Sequence, residues 1–121
     1  MDINLSTTSD EPIYRQIFEQ LRAAIIQGKL PGGTCLPPIR TVARELRISV
    51  ITVRKAWEEL EHAGLIDTLA GKGCFVRRLK APERDDKRMR LAETQMAKDL
   101  GRYKSLGLSR GEVLALVEKL Y

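Results

Sequence analysis

Hydrophobic positions in the first half of the chain repeat with the period of an α-helix. Apolar side chains recur every three or four residues from residue 13 to residue 25, after a polar segment and Pro12, and Gly28 suits the end of that helix. The same spacing predicts a second helix after Pro37 and Pro38, and a third after Ser49, a good N-cap residue. The predicted inward positions are Ile13, Tyr14, Ile17, Phe18, Leu21, Ala24 and Ile25, then Ile39, Val42, Ala43 and Leu46, then Val53, Ala56, Trp57 and Leu60.

Only a tight connection at residues 47–48 separates the second and third predicted helices, which is typical of a helix-turn-helix. After Gly64, two short segments on either side of a glycine-containing turn predict strands at 65–69 and 74–77. The intervening segment, residues 70–73, holds two glycines that supply the backbone angles of a hairpin. Residues 34–36 are predicted to form a very short strand. A hairpin directly after the third helix is a wing.

The pattern changes after Pro82. Residues 83–104 contain no glycine before Gly101 and predict one long helix, and Ser109 with Glu112 has the form of a capping box for a last helix. We therefore predict a mainly α fold with a small β-wing: a winged helix-turn-helix domain at residues 1–80 and a two-helix tail at 81–121. The apolar stripes of the tail are Met89, Ala92, Met96, Leu100 and Tyr103, then Val113, Leu116, Val117 and Leu120.

Composition excludes several classes of protein. The 121 residues allow one ordinary domain with a modest appendage. No apolar run approaches the roughly 20 residues that span a bilayer, and the first residues lack a basic segment followed by an apolar one. We therefore expect a cytoplasmic protein with no membrane partner. Because the chain has no nucleophile–base pair, phosphate-cradling loop or metal-ligand spacing, we expect no enzymatic activity, no cofactor and no metal.

Positive charge is concentrated on the helix-turn-helix. The net charge is +5, and residues 36–57 hold five basic residues against one acidic residue. The rest of the chain is nearly balanced. This distribution favours a polyanionic partner at the helix-turn-helix. The five basic residues are Arg40, Arg44, Arg47, Arg54 and Lys55.

Residues 12–78 resemble the DNA-binding domain of GntR-type transcription regulators. The matching positions run in order through the predicted helices and wing, and the short helical tail is similar to that of the YtrA-like branch of the family. The resemblance implies a sequence-specific transcription regulator, favoured as a repressor, that binds a palindromic operator as a homodimer. The matching segments are 14–17, 21–22, 25–30, 33–37, Arg40, Ala43, Leu46, Ser49, 52–56, Leu60, 64–66 and 71–76.

A helix that enters the major groove presents its N-terminal residues to base edges, while basic and hydroxyl side chains hold phosphates. The resemblance implies DNA contacts from Arg40, Ser49, Thr52 and Arg54, and a wing turn that reaches the minor groove. Arg40 would contact a guanine and Lys72 a phosphate. The complete predicted DNA-binding set is Arg40, Arg47, Ser49, Val50, Ile51, Thr52, Arg54, Lys55, Ala70, Gly71 and Lys72.

Two positions depart from the family pattern. Val50 stands where the family often has an arginine that reads guanine. Valine cannot form a hydrogen bond but can pack on a thymine methyl group, so we expect Val50 or Ile51 to favour thymine in the half-site. Pro38 stands where a serine is common, and the phosphate contact of that serine should be absent.

The apolar stripes of the tail must be buried somewhere. They can pack back on the first helix, or two chains can pair through a small helical bundle. We favour the two-fold dimer, because two copies can read a palindrome whereas one reads only a few base pairs. The resemblance also implies an operon for a membrane transporter as the target. A small-molecule effector would need the dimer groove or the domain–tail junction.

Three further alternatives stay open. Cys35 and Cys74 are predicted on paired strands, where they could form a reversible redox pair, bind a metal with further ligands from elsewhere, or be two small apolar residues of a half-buried sheet. A winged helix can also serve as a protein–protein adaptor without specific DNA binding. The third alternative is non-specific binding to RNA or to the chromosome. His62 is expected at the surface and Trp57 in the core.

Overall fold

Three helices and a two-stranded hairpin form the first of two compact units, which extends to Ala81; the second covers Pro82–Tyr121. The computed structural model describes residues 2–121, so Met1, with which the predicted domain 1–80 begins, lies outside the described part of the chain. The elements are α1 (Ile13–Gln27), α2 (Ile39–Leu46), α3 (Val50–His62), β1 (Ile66–Leu69), β2 (Gly73–Val76), α4 (Ala81–Ser105) and α5 (Arg110–Leu120). The predicted fold class, mainly α with a small β-wing, is confirmed.

The core of the first unit lies where α1, α3 and the inner face of the wing meet. Ile17, Val53 and Leu60 are fully buried, and Trp57 belongs to the core as predicted. Each such side chain contributes about 1.5–3 kcal/mol by leaving water. Five predicted inward residues are only half-buried, because they lie near helix ends or at the margin of the core: Ile13, Tyr14, Ala24, Ile39 and Leu46.

The wing is a three-stranded arrangement in which β2 is central. β1 pairs antiparallel with β2, from Ile66 opposite Val76 to Leu69 opposite Gly73. On the other edge of β2, Cys35 forms a single antiparallel bridge with Phe75. The flanking backbone hydrogen bonds are Leu36 N to Cys74 O at 2.8 Å and Val76 N to Thr34 O at 2.8 Å. The very short strand predicted at residues 34–36 is confirmed as this bridge.

An extended segment before α1 is attached to that helix by two glutamine side chains, which the sequence analysis did not anticipate. Gln20 accepts a hydrogen bond from Asn4 N at 2.9 Å and donates one to Asn4 O at 2.7 Å. Gln16 makes the same pair with Ser6, at 2.8 and 2.9 Å. The fit follows from geometry, since one helical turn rises about 5.4 Å and two extended residues span about 6.8 Å.

The second unit is a helical hairpin with no buried residue in either helix. The capping box predicted for α5 is confirmed: Glu112 N donates to Ser109 Oγ at 3.1 Å and Ser109 N donates to Glu112 Oε1 at 2.9 Å. Hydrogen bonds from Ser109 lower the pKa of Glu112 below its ordinary value. Within residues 2–121, no helix combines the length and apolar character needed to cross a bilayer.

Candidate nucleic-acid interface

The turn between α2 and α3 depends on an arginine in a conformation that favours glycine. Arg47 has φ 57°, ψ 47°, and it is the only non-glycine residue with positive φ among residues 2–121. Ile48 N donates to Ala43 O at 3.0 Å, which closes the end of α2 and redirects the chain into α3. The side chain of Arg47 is exposed, as expected of a DNA-binding residue.

Ser49 and Thr52 hold the start of α3. Ser49 Oγ accepts a hydrogen bond from Thr52 N at 3.1 Å and lies 2.8 Å from Thr52 Oγ1. The predicted N-cap is therefore confirmed. The first turn of α3 contains no acidic residue, so nothing there offsets the positive end of the helix dipole. Both hydroxyls that were predicted to contact DNA thus also fix the position of the helix start.

A cleft of about 380 Å³ lies between the starts of α2 and α3 and the tip of the wing. Three cationic side chains from three separate elements line it: Arg40 from α2, Arg54 from α3 and Lys72 from the wing. No acidic residue is among the lining residues, so we call this depression the cationic cleft. Its remaining lining residues are Cys35, Leu36, Pro37, Pro38, Ile39, Val50, Trp57, Gly73 and Cys74.

The cations of this surface have no counter-ions within the described part of the chain. Arg40, Arg47, Arg54 and Lys72 are exposed, and none of their side chains takes part in an ion pair or a hydrogen bond. Ion pairs do form elsewhere, such as those of Asp67 with Arg77 and of Asp86 with Arg90. The unpaired cations make this face attractive to a polyanion.

Lys55 differs from the other predicted cations. Its Nζ lies 4.1 Å from the centroid of the Tyr14 ring, a cation–π contact that joins α3 to α1. Lys55 is on the outer surface of α3 but does not line the cationic cleft. The sequence placed Tyr14 at the edge of the apolar face of the first helix. In the structure its ring is only half-buried, which leaves it accessible to Lys55.

The wing presents a short exposed tip on a braced base. Ala70, Gly71 and Lys72 form the three-residue loop, closed by a hydrogen bond from Lys72 N to Leu69 O at 2.9 Å, and all three are exposed. Gly71 has φ 75°, and a Cβ built there would meet nothing within 4 Å. The backbone conformation, and not crowding, therefore favours glycine at this position.

At the base of the wing, Arg77 Nη2 lies 2.6 Å from Asp67 Oδ1 across β1 and β2. The hydrogen bond from Arg77 lowers the pKa of Asp67 below its ordinary value. The pair lies on the outer face of the wing and is about half exposed, so it orients the two strands more than it stabilises them.

The two cysteines have different surroundings. Both are free thiols. Cys35 lies opposite Phe75 and near Gly73, whereas Cys74 lies opposite Thr68 and its Sγ is 3.4 Å from Thr68 Oγ1. Because adjacent residues of a strand point to opposite faces, the thiols of Cys35 and Cys74 lie on opposite faces of the wing. The structure therefore does not bring the predicted redox pair together.

Some residues of the apolar stripes of the tail, which were predicted to pair two copies, line one groove of about 580 Å³ between α4 and α5. Met96, Leu100, Val113 and Val117 line this apolar groove, and the sequence analysis missed its other lining residues, Lys104, Leu108, Arg110 and Leu114. Leu114 could have been found from its position between two stripe residues. The other predicted residues lie outside the groove and are exposed: Met89, Ala92, Tyr103, Leu116 and Leu120.

Other candidate chemistry stays peripheral. His62, as expected, is exposed at the end of α3. Across residues 2–121, no group of three or more His, Cys, Asp or Glu side chains could hold a metal ion. In the first unit, the cationic cleft is therefore the candidate site, because it combines a depression in the surface with unpaired positive charge.

Sequence comparisons agree with this geometry. Residues 13–76 match the family described as bacterial regulatory proteins, gntR family. The HTH-type transcriptional repressor YtrA of Bacillus subtilis is 36% identical over 74 residues, which are 61% of this chain and 57% of YtrA. The alignment thus spans little more than half of that relative. The regulator Rv1152 of Mycobacterium tuberculosis is 32% identical over 113 residues, covering 93% of this chain and 88% of Rv1152.

Solved structures give the same assignment. YtrA from Sulfolobus acidocaldarius, a GntR-family transcription factor, has a TM-score of 0.59 at 26% identity and covers 98% of this chain and 95% of its own. AraR(DBD) in complex with operator ORE1 has a TM-score of 0.52 at 29% identity and covers 63% of this chain and 93% of its own. These relatives are transcription regulators and not enzymes. The chain belongs to the GntR family of bacterial regulatory proteins and is similar to members of the YtrA type.

Proposed function

We propose that this regulator binds a palindromic operator as a homodimer and represses transcription from it. The observation that carries the proposal is the cationic cleft, where Arg40, Arg54 and Lys72 come from three elements and meet at the start of α3 without counter-ions in the described chain. A protein adaptor would have no need for unpaired cations at that point. The resemblance to the AraR–operator complex supports the same face as the one that meets DNA.

The arrangement suits a division of labour between base contacts and phosphate contacts. In this proposal the start of α3 enters the major groove, and Arg40 donates two hydrogen bonds to a guanine, which contributes about 1–3 kcal/mol of discrimination. Lys72 and Arg47 bind phosphates on either side and add affinity that carries little sequence information. The exposed turn of Ala70 and Gly71 reaches the adjacent minor groove.

The second unit supports the pairing of two copies. Neither α4 nor α5 contains a buried residue, and their exposed apolar side chains include Met96, Leu116 and Leu120, at 57%, 40% and 75% exposure. A two-helix hairpin in which no apolar side chain is fully buried gains little from the hydrophobic effect. A second copy offers the same apolar surface in a self-complementary arrangement, which a two-fold axis requires.

The protein would act in the cytoplasm, and its resemblance to the YtrA-like branch suggests that the operator controls an operon for a membrane transporter. An effector would bind where two tails meet. Once the operator sequence has been found by selection from random DNA, its matches in a genome would identify the regulated genes.

The test is selection from a randomised duplex pool with the purified full chain. We expect an inverted repeat whose half-sites lie about one helical turn apart, and affinity that falls steeply as salt rises. A single, non-repeated motif would contradict the dimer. Folded protein that enriches no sequence would contradict specific DNA binding and favour an adaptor or a non-specific binder.

A further inference from the structure

The first two residues of α3 are apolar, although they lie beside the cationic cleft. Val50 is half-buried and lines that cleft, whereas Ile51 is 74% exposed. Single exposed apolar residues are common on protein surfaces, so exposure alone assigns no role. The position matters more: Ile51 lies one turn before Arg54 and Lys55 and therefore on the same face of α3.

Ile51 is suited to contact an apolar group of fixed position. A β-branched side chain in a helix has one strongly preferred rotamer, so its methyl groups are presented without much loss of side-chain freedom. It can neither donate nor accept a hydrogen bond. Val50 has the same chemistry but offers less free surface, because it is half-buried.

Base edges in the major groove offer one apolar group, the methyl at C5 of a pyrimidine. Thymine carries it naturally, and 5-methylcytosine carries it at the same position. We propose that Ile51 is a specificity-determining residue that recognises a C5-methyl group in each half-site, whichever pyrimidine carries it. This inference rests on the proposed function and identifies the base feature that the start of α3 reads.

The consequence is that cytosine methylation changes binding. At the contacted position, replacement of thymine by deoxyuracil removes one methyl group and should weaken binding about fourfold per half-site, the value for burial of a single methyl-sized group. Replacement of that pair by cytosine–guanine should weaken binding further. Methylation of the cytosine at C5 should restore about fourfold.

The experiment measures binding of the full chain to its selected operator by fluorescence anisotropy, with each thymine replaced in turn by deoxyuracil. Wild type should lose affinity at one position per half-site, and Ile51→Ala should be indifferent there. Ile51→Val, which keeps the branched apolar tip, is the matched control and should retain the preference. Circular dichroism checks that each variant folds. We expect both variants to fold, because the Ile51 side chain is exposed and contributes little to the core.

Failure of this inference can be told apart from failure of the proposed function. Wild type that binds its operator specifically but tolerates deoxyuracil at every position overturns the role of Ile51 and leaves DNA recognition intact. A uracil effect that persists in Ile51→Ala also overturns it, because another residue then reads the methyl. Protein that prefers no duplex at all contradicts the proposed function itself.

Discussion

At the scale of single residues, the helix-turn-helix combines a strained turn with an exposed charge in one arginine. Arg47 occupies the left-handed position that ends α2, where glycine is the usual residue. A side chain in that conformation costs about 1–2 kcal/mol relative to glycine. An arginine at this position therefore has a cost in stability, and a DNA contact is a reason to retain it.

Replacement of Arg47 should separate stability from binding. Arg47→Gly relieves the backbone strain and should raise the free energy of unfolding by about 1 kcal/mol, measured by urea denaturation. It should also weaken operator binding, because it removes an exposed cation.

Arg47→Ala is the matched control, since it removes the same charge but keeps a Cβ in the left-handed conformation. It should weaken binding without any gain in stability. Equal stability of the two variants would show that the turn is not strained. Unchanged affinity in both would remove Arg47 from the DNA-binding surface.

At the scale of elements, the wing is held in register by its backbone ladder and by one ion pair at its base. Asp67 lies in β1 opposite Phe75 and Arg77 directly follows β2, so the ion pair runs diagonally between the two strands at the end of the hairpin remote from the tip. We expect the pair to limit the twist of the two strands at the base of the wing.

Titration of Asp67 tests this brace. Its folded-state pKa lies below the ordinary value of 3.8, so the stabilisation is complete above that value and is lost as pH falls through the folded-state pKa. Arg77→Ala should raise the pKa of Asp67 toward 3.8, as followed by carboxyl-carbon NMR. Glu112, whose pKa is lowered by Ser109 in the other unit, is the internal control and should not move. An unmoved Asp67 would show that the pair does not form in solution.

Local signals in the sequence predicted most elements, and contacts distant in sequence account for what was missed. Ser49 was predicted as an N-cap because a cap depends on the residues that follow it directly. The attachment of Asn4 by Gln20 spans 16 residues and leaves no periodic pattern. The opposed faces of Cys35 and Cys74 depend on the register of the bridge to Phe75, which the sequence does not specify.

At the scale of the whole molecule, recognition of a palindrome requires two copies of the chain, each with its own helix-turn-helix and wing. The apolar groove between α4 and α5 has two cations at its margin, Lys104 and Arg110, and no acidic residue in its lining. A single copy can contact DNA only through one recognition helix and one wing. In the proposed dimer, pairing through the tail would convert two weak half-site contacts into one strong operator contact.

A charge placed in the apolar groove should therefore separate the two copies. Leu100→Asp should yield monomers in sedimentation and should bind an isolated half-site and the whole operator with similar, weak affinity. Thr94→Asp, which adds the same charge at an exposed position about 120° around α4 from Leu100, is the control and should stay dimeric. A Leu100→Asp variant that sediments as a dimer would contradict the role of the tail.

The central claim is that the cationic cleft reads DNA through residues with different tasks. The most direct measurement compares Arg40→Ala and Lys72→Ala for affinity toward the operator, toward operators changed one base at a time, and across a range of salt. Arg40→Ala should lose about 1–3 kcal/mol and its preference at one base position, whereas Lys72→Ala should weaken binding to all sequences alike and reduce the salt slope by about 1. Two variants that bind like the wild-type protein would contradict the account.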